Sequence, residues 1–307
     1  MAPLILASAV VTQLFGGSAG REGVAVQMSA ALSDQLIRPR WALVRPSMLV
    51  VAIAAGFGAV FGTPVAGALF ALEVPTRGRL QPVRALLGPC LLASLVGDGV
   101  TRALGIDHDV MPGFPALAHD LPMFARFALL GLAAGFTALA YVVAVEAIKR
   151  QFRRITWPPL RPVIGGVLVV ALVGLAGTRD YLGLSISLAQ AATGGLGVAA
   201  GAFAWKLAFT AVTLGSGFQG GEVTPLFVIG ATMAAALAPH IGLYSGAAAM
   251  IGFVAVFGSA ANTPITCVVL AAEIFGAGAL PFAAVALAVA TAASTPRSIY
   301  MTQRAVA

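Results

Sequence analysis

The sequence predicts an all-α membrane protein, a polytopic helical bundle of two inverted structural repeats with broken and re-entrant helices. The chain has 307 residues, of which 59% are hydrophobic and only 9% are charged. Its long uncharged runs do not alternate apolar and polar residues, as the strands of a membrane β-barrel do, so the spans must be helical. Glycine and proline interrupt several runs, and the second half repeats a pattern of the first.

The apolar runs are long enough to cross a bilayer, which takes about 20 residues of helix. The formal net charge of +7 comes mostly from arginines at the edges of these runs. Basic residues in that position are typical of the cytoplasmic side of a membrane protein and not of a nucleic-acid surface. We therefore expect a multi-pass protein of the plasma membrane, in a bacterium the inner membrane. Uncharged runs include 1–20, 47–72, 127–145, 181–205 and 274–296.

The residue types of the chain predict no metal site and no cofactor. The two cysteines, Cys90 and Cys267, lie within apolar runs, where a thiol packs as a small hydrophobic group. The longest polar loop contains Asp107, His108 and Asp109, whose spacing fits no standard metal site. We interpret this loop as solvated.

A repeat with an offset of 200 residues runs through the chain without a gap. The chain has five glutamates, and four of them pair at this offset. We expect residues 1–120 to hold the first repeat and 121–307 the second, together forming one transmembrane domain. At this offset the counterpart of region 121–200 would lie before Met1. The first repeat is therefore expected to lack about 80 residues at its N-terminus. The paired positions include Gly20 with Gly220, Glu22 with Glu222, Thr63-Pro64 with Thr263-Pro264, and Glu73 with Glu273.

Each repeat contains a glycine-rich break that opens a helix. Unpaired backbone N–H groups and the positive end of the helix dipole make such an opening suitable for an anion. In inverted repeats both openings converge near the middle of the bilayer. The carboxylate of Glu22 would then compete with a permeant anion for the same helix ends, and it could accept a proton. The alternative is a static cap or an ion-pair partner of Arg21, and the residues alone leave both open.

Five stretches resemble the CLC family of anion channels and proton-coupled anion exchangers over nearly the whole chain: GREG, VAVQM, GGEVTPLFVIGA, VFGSAANTPITCVVLAAEIFG and SIYMTQR. GGEVTP is similar to the fluoride/proton antiporter branch. Chloride exchangers of the family often carry a second glutamate at the position of Val74. A valine there is similar to the fluoride/proton antiporter branch and to the channels. The resemblance implies a homodimer with one anion route per subunit. It does not include the family's first helices, the same segment that the repeat indicates is missing.

The resemblance also implies roles for individual residues. Glu22 matches the gating, proton-carrying glutamate, and Tyr300 matches a tyrosine whose phenol faces the central anion site. From the residues alone, Tyr300 would be an interfacial aromatic residue. The residues expected to bind or line the path of the anion are Gly20, Arg21, Gly23 and Val24 at the first opening and Gly221, Glu222, Val223 and Thr224 at the second.

Three further charged residues lie in apolar sequence. Glu73 and Glu273 each follow a Thr-Pro break by nine residues, and we expect both to bind loop backbone in a shared architectural role. Lys206 follows Trp205, and we expect its ammonium to reach the membrane surface along its aliphatic stem.

The leading functional prediction is fluoride export by fluoride/proton antiport. The alternatives within the family are a passive channel with voltage-gated chloride channel activity and a chloride/proton exchanger. An intramembrane serine hydrolase built on Ser18 or Ser216 is the alternative from another class, but no histidine is clearly placed to serve as its base. We therefore expect a transport protein and not an enzyme, with fluoride or chloride and the proton as its substrates.

Overall fold

The computed structural model describes residues 2–76, 85–294 and 298–300. The end of the SIYMTQR stretch, and with it the end of the second predicted repeat, lies outside the described residues. Within the described part the chain is helical, apart from one isolated antiparallel bridge between Gly20 and Gly221. The predicted all-α class is confirmed. The helices are α1 (Ala2–Leu14), α2 (Glu22–Leu36), α3 (Arg45–Phe61), α4 (Pro64–Glu73), α5 (Leu87–Ala103), α6 (Leu121–Phe152), α7 (Leu160–Ala176), α8 (Ile186–Thr193), α9 (Ala202–Gly215), α10 (Val223–Ile241), α11 (Ser245–Ala261), α12 (Pro264–Phe275) and α13 (Leu280–Ser294).

Four helical segments of the described residues are long and apolar enough to cross a membrane. Several other apolar helices are shorter, because glycine and proline end one helix and start the next. Gly62 and Asn262 end α3 and α11 in the left-handed conformation, with φ of +66° and +54°. Pro64 and Pro264 follow at the first positions of α4 and α12, where a missing N–H costs nothing. The four long segments are Trp41–Phe61, Leu121–Phe152, Val223–Ile241 and Ala277–Ser294.

The helix boundaries repeat at the offset seen in the sequence. Helices α3 and α11 both start and end at positions 200 residues apart, 45–61 and 245–261. Helices α4 and α12 begin 200 residues apart as well. The same helix pattern therefore occurs twice along the chain, although a boundary between the repeats at residue 120 stays a prediction.

Two carboxylates, one fully buried and one half-buried, join the halves of the molecule by capping helices of the opposite half. Glu73 accepts hydrogen bonds from the backbone N–H groups of Ile265 and Thr266, at 3.0 and 2.7 Å, at the start of α12. Glu273 accepts from Val65 and Ala66, also at 3.0 and 2.7 Å, at the start of α4. Each carboxylate satisfies amides that have no partner within their own helix. The predicted backbone-binding role of both glutamates is confirmed.

The core is centred on α10 and α11, with α6 and α13 packed around them. Phenylalanine side chains fill much of it, and the rings of Phe227 and Phe253 stack with centroids 4.0 Å apart. Helix α11 is buried along almost its whole length. Packing against this buried centre holds α10, whose first residues form part of the candidate site.

The prediction that Lys206 reaches the membrane surface is wrong. Its side chain is fully buried at the start of α9. The ammonium donates to the carbonyl oxygens of Tyr181 and Gly183 and to the hydroxyl of Ser185. The loop between α7 and α8 folds over α9 and supplies these acceptors, so the lysine finds its partners inside the protein.

Candidate functional site

The two glycine-rich openings meet in the middle of the molecule. Gly20 and Gly221 exchange two backbone hydrogen bonds, each 2.8 Å long, and so form the antiparallel bridge. The contact leaves no room for side chains, since a Cβ built on Gly221 would lie 2.9 Å from the backbone nitrogen of Gly23. Helices α2 and α10 therefore begin side by side, with the positive ends of their dipoles at one place.

Glu22 places its carboxylate at this junction. Its side chain is only 7% exposed, and Arg21 Nε lies 3.7 Å from Oε1 while the Arg21 side chain stays 70% exposed. The hydroxyl of Thr224, in the first turn of α10, donates a hydrogen bond to Oε2 of Glu22. A carboxylate that starts one helix is thus held by a donor from the other helix.

Glu222 occupies the matching position in the second half but faces another cavity. Its side chain is 20% exposed, and Lys149 Nζ lies 3.8 Å from Oε1. A cavity of about 180 Å³ adjoins it. Basic residues from the C-terminal end of α6 give this cavity a positive field, which attracts anions. The lining includes Tyr141, Glu146, Lys149, Arg150, Arg153 and Ile299.

Glu22 faces a larger cavity of about 740 Å³. Most of its lining is apolar, and its polar groups include Arg21, Thr224 and the loop residues Asp107, His108 and Asp109. This loop, interpreted from the sequence as solvated, lies at the same cavity as Glu22. Glu22 thus adjoins a mostly apolar cavity, whereas the cavities that adjoin Glu222 are lined by basic residues.

The remaining predicted site residues lie either at the helix starts or, in the case of Tyr300, away from the two cavities. Val24 and Val223 are buried at the starts of α2 and α10, and Gly23 lies against Gly221. Tyr300 is half-buried, with its ring edge-on to Phe70 at a centroid distance of 6.3 Å. Its phenol interacts electrostatically with Glu222, yet Tyr300 lines neither the Glu22 cavity nor the Glu222 cavity. The structure therefore groups Tyr300 with Glu222 more than with Glu22.

Tyr141 is a residue of this site that the sequence reasoning missed. It is fully buried in α6 and lines the Glu222 cavity. Its hydroxyl makes no hydrogen bond of ordinary geometry among the described residues, although it is close enough to Glu222 to interact with the carboxylate. A tyrosine in the middle of a long apolar helix, two turns before Lys149, was the signal available in the sequence.

The two serines of the hydrolase alternative have structural partners. The Ser18 hydroxyl hydrogen-bonds the Thr210 hydroxyl at 2.9 Å, and the Ser216 hydroxyl donates to the carbonyl of Thr213 at 3.0 Å. Both hydroxyls are thereby held within the helix packing.

Comparison with known proteins identifies the class. The family model described as voltage gated chloride channel matches residues 1–295. The chain is 42% identical to a "Chloride/fluoride channel protein" of Pseudomonas syringae pv. tomato, over 99% of this chain and 69% of that protein. It is 26% identical to the "H(+)/Cl(-) exchange transporter ClcA" of Yersinia pestis, over 83% of this chain and 56% of the relative.

Solved structures agree with this assignment. A CLC-type fluoride/proton antiporter superimposes with a TM-score of 0.93 at 35% identity, covering 98% of this chain and 76% of the other. A slow cyanobacterial Cl⁻/H⁺ antiporter superimposes with a TM-score of 0.75 at 20% identity, covering 95% of this chain and 72% of the other, which shows the common fold. This chain belongs to the voltage gated chloride channel (CLC) family. It is a multi-pass membrane protein of an anion-transporting family and not an enzyme.

Proposed function

We propose that the protein exchanges fluoride for protons across the membrane, with Glu22 as the gate and the proton carrier. The observation on which this proposal depends is the place of the Glu22 carboxylate. It lies buried where the N-termini of α2 and α10 meet and is bound by Thr224. An anion held at two helix openings occupies the position that a permeant anion would take. Relatives named for chloride, fluoride and proton transport support the same assignment.

Protonation of Glu22 supplies the coupling in this scheme. When the carboxyl group takes a proton it loses its charge and its attraction to the helix dipoles. The backbone amides and the Thr224 hydroxyl then become available to fluoride. When fluoride leaves, the ionised carboxylate returns to its place, so the proton and the anion use the junction alternately.

The donors at the junction suit fluoride. Fluoride is small and strongly hydrated, so a binding site must replace its water with several close hydrogen-bond donors. The candidates are the Thr224 hydroxyl and the backbone N–H groups of Arg21, Gly23, Val24, Glu222 and Val223, since the N–H groups of Gly20 and Gly221 already bind each other's carbonyl oxygens. Replacement of Thr224 by Val should lower fluoride flux more than chloride flux, whereas Thr224→Ser should keep the preference. Equal loss of both fluxes in the valine variant would contradict a selective role of the hydroxyl.

The test of the coupling is Glu22→Gln in purified protein reconstituted into liposomes. Proton uptake driven by a fluoride gradient should fall to the level of protein-free liposomes, because glutamine keeps the size of the side chain but cannot ionise. Asp34→Asn, at the other end of α2, is the matched control and should keep coupling unchanged. Proton uptake at the parental ratio in Glu22→Gln would exclude Glu22 as the carrier.

Two related functions are separated by the same assay. A passive channel, as the name of the Pseudomonas relative suggests, would let fluoride run down its gradient without moving protons. A chloride/proton exchanger, as the Yersinia relative is named, would move protons with chloride at least as well as with fluoride. Uphill fluoride movement driven by a pH gradient, with chloride a poor substitute, would favour our proposal over both.

We further propose that two copies of the chain associate, each with its own anion route. The sequence points to 163–175 and 279–293 as apolar faces for a second copy. Helix α7 exposes Val163, Val167, Val170 and Leu175, whereas α13 buries Phe282 and Leu287 within the subunit and exposes Leu280. Cysteine crosslinking in lipid should join copies across one of these faces. A particle that transports as a strict monomer would contradict the dimer.

A further inference from the structure

Lys206 is a buried cation that the proposed transport cycle does not use. Its side chain is fully buried in α9. The ammonium donates to Gly183 O at 2.7 Å, to Ser185 Oγ at 2.9 Å and to Tyr181 O at 3.2 Å. No carboxylate of the described residues lies within 4.0 Å of it. All three hydrogen-bond donors of the group are satisfied by neutral oxygens.

This arrangement is that of a monovalent cation site. Carbonyl oxygens that replace a hydration shell are how proteins bind such ions, and the ammonium here receives the same kind of ligands from one loop. Burial of a charge without a counter-charge is costly unless strong hydrogen bonds compensate for lost hydration. The three contacts therefore hold the loop tightly on α9, and Ser185 accepts a left-handed conformation, with φ of +56°, within that loop.

The loop that Lys206 holds lies against the segment leading to Glu22. A Cβ built on Gly16 would lie 3.4 Å from a methyl carbon of Leu182, and one built on Gly183 would lie 3.5 Å from Oε1 of Gln13. Gln13 in turn donates from Nε2 to the carbonyl of Ala19, at 2.7 Å. The loop at 181–185 is thus one support of the turn at 16–20.

The turn at 16–20 is also held directly by α9, the helix that carries Lys206. The backbone N–H of Ser18 donates to the Thr213 hydroxyl at 3.1 Å, and the Ser18 hydroxyl pairs with Thr210. Thr210 and Thr213 lie one and two turns after Lys206 on α9. The turn that ends in Gly20 and Glu22 is therefore held directly by α9 and, on its other side, by the loop that Lys206 fixes.

We propose that Lys206 is a positioning residue whose ammonium takes the place of a bound monovalent cation, fixing the 181–185 loop and through it the turn before Glu22. Shortening the side chain to alanine would then convert the site into one that needs a free cation such as Na⁺ or K⁺. The effect on transport rests on the proposed role of Glu22, whereas the effect on stability does not.

The first test measures the thermal unfolding temperature of the purified full chain in sodium, potassium or N-methylglucamine gluconate at one ionic strength. Lys206→Ala should unfold several degrees below the parent in N-methylglucamine and recover saturably with Na⁺ or K⁺. Lys206→Met should also unfold early but show no recovery, because its thioether fills the space. Arg179→Ala removes an exposed positive charge from the same loop and should behave like the parent. Parental stability of Lys206→Met, or a Lys206→Ala variant indifferent to the cation, would overturn the proposal.

A second pair of variants keeps Lys206 and so remains informative if its replacements do not fold. Ser185→Asp and Ser185→Asn both suit the left-handed conformation and differ by one charge. The aspartate should pair with the ammonium and unfold at a higher temperature than the asparagine. An aspartate variant no more stable than the asparagine variant would contradict a charged group at this position.

Anion flux from liposomes tests the positioning role. Flux per folded Lys206→Ala protein should be low in N-methylglucamine and return with Na⁺ or K⁺. If that flux equals the parental flux while the unfolding temperature still depends on the cation, Lys206 supports the fold but does not position Glu22. A parent that moves no protons with fluoride would instead count against the proposed antiport and leave the stability result intact.

Discussion

The two glycine-rich openings have the same order of residues but opposite surroundings. Glu22 is buried beside Thr224 of the other half and faces a mostly apolar cavity. Glu222, at the offset of 200 residues, is more exposed, lies 3.8 Å from Lys149 and faces a cavity lined by basic residues. Because the backbones of the two openings run antiparallel, equivalent side chains point to opposite sides of the junction.

The comparison shows that one duplicated backbone pattern can carry different side chains in its two copies. The backbone is nearly symmetric, with reciprocal hydrogen bonds between Gly20 and Gly221 and reciprocal caps by Glu73 and Glu273. The side chains around it are not symmetric, since Arg21 corresponds to Gly221, and the bridge joins Gly20 to Gly221 and not to its own equivalent, Gly220. The repeated backbone pattern therefore forms the junction, and the side chains that differ between the halves make its two sides chemically different.

The largest expected effect comes from breaking the symmetric backbone pair. In Gly221→Ala the new methyl group would meet the nitrogen of Gly23 at 2.9 Å and the carbonyl of Gly20 at 3.1 Å. Neither backbone group can move aside easily, so unfolding should become easier by about 3 kcal/mol, as in overpacked cores. Chemical denaturation in detergent measures this.

Gly99→Ala is the matched control for that substitution. Gly99 lies within α5 and a Cβ there would have nothing within 4 Å. Its replacement should be neutral or stabilising by roughly 0.5–1 kcal/mol, because alanine favours helix. If both variants were equally stable, the close approach of the two openings would be wrong.

The second prediction compares the two helix caps. Glu73 is fully buried and also accepts a hydrogen bond from the Thr266 hydroxyl at 2.6 Å, so it has at least three donors, whereas Glu273 is only half-buried and accepts from the N–H groups of Val65 and Ala66. Glu73→Gln should therefore cost about 2 kcal/mol of unfolding free energy and Glu273→Gln about 1 kcal/mol, since hydrogen bonds to charged groups contribute most when buried. Equal losses would indicate that burial and the third donor add nothing.

The third prediction concerns the charge difference between the cavities. Lys149→Gln removes a cation from the Glu222 cavity and should lower fluoride flux roughly threefold at low ionic strength, because a positive cavity concentrates anions. Addition of an impermeant salt such as gluconate should shrink the difference by screening. Arg21→Gln, which removes the exposed charge beside Glu22, should change flux less. A salt-independent loss in Lys149→Gln would point to a role other than attraction.

The smallest expected effect lies at a place where the halves differ on the surface. Asp34 accepts two hydrogen bonds from Arg45, at 2.6 and 2.8 Å, where the second half has Ala234 and Ser245. The hydrogen bonds and positive charge of Arg45 lower the pKa of the Asp34 carboxyl. The pair therefore stabilises the fold above the usual carboxyl pKa, and its contribution is lost as the pH falls through the lowered value.

Asp34→Asn should accordingly be slightly less stable than the parent near neutral pH. The difference should disappear in acid, once the parental carboxyl is protonated. Unfolding temperatures measured side by side over this pH range provide the test. A difference that grows towards acid pH would contradict the assigned ion pair.

Part of the fold and of the site was predictable because its causes are local in the sequence. Apolar runs without alternation indicate helices in a membrane, and the Thr-Pro steps at 63–64 and 263–264 mark where helices restart. The offset of 200 residues predicts matching helices, and the boundaries of α3 and α11 agree with it to the residue. That Glu73 and Glu273 bind backbone was predicted from their duplication, whereas the helices that they cap were not predicted.

By itself, then, the sequence determined the helical membrane class, the breaks, the repeat and the residues of the two openings. Only the tertiary structure decided which groups meet across the halves: Thr224 with Glu22, Tyr141 with Glu222, and the 181–185 loop with Lys206. The lysine shows the reason. Its neighbours in sequence are apolar, so the local sequence predicts that the ammonium reaches the membrane surface. Its acceptors come from a loop more than 20 residues away, which lies close to Lys206 only when the helices pack.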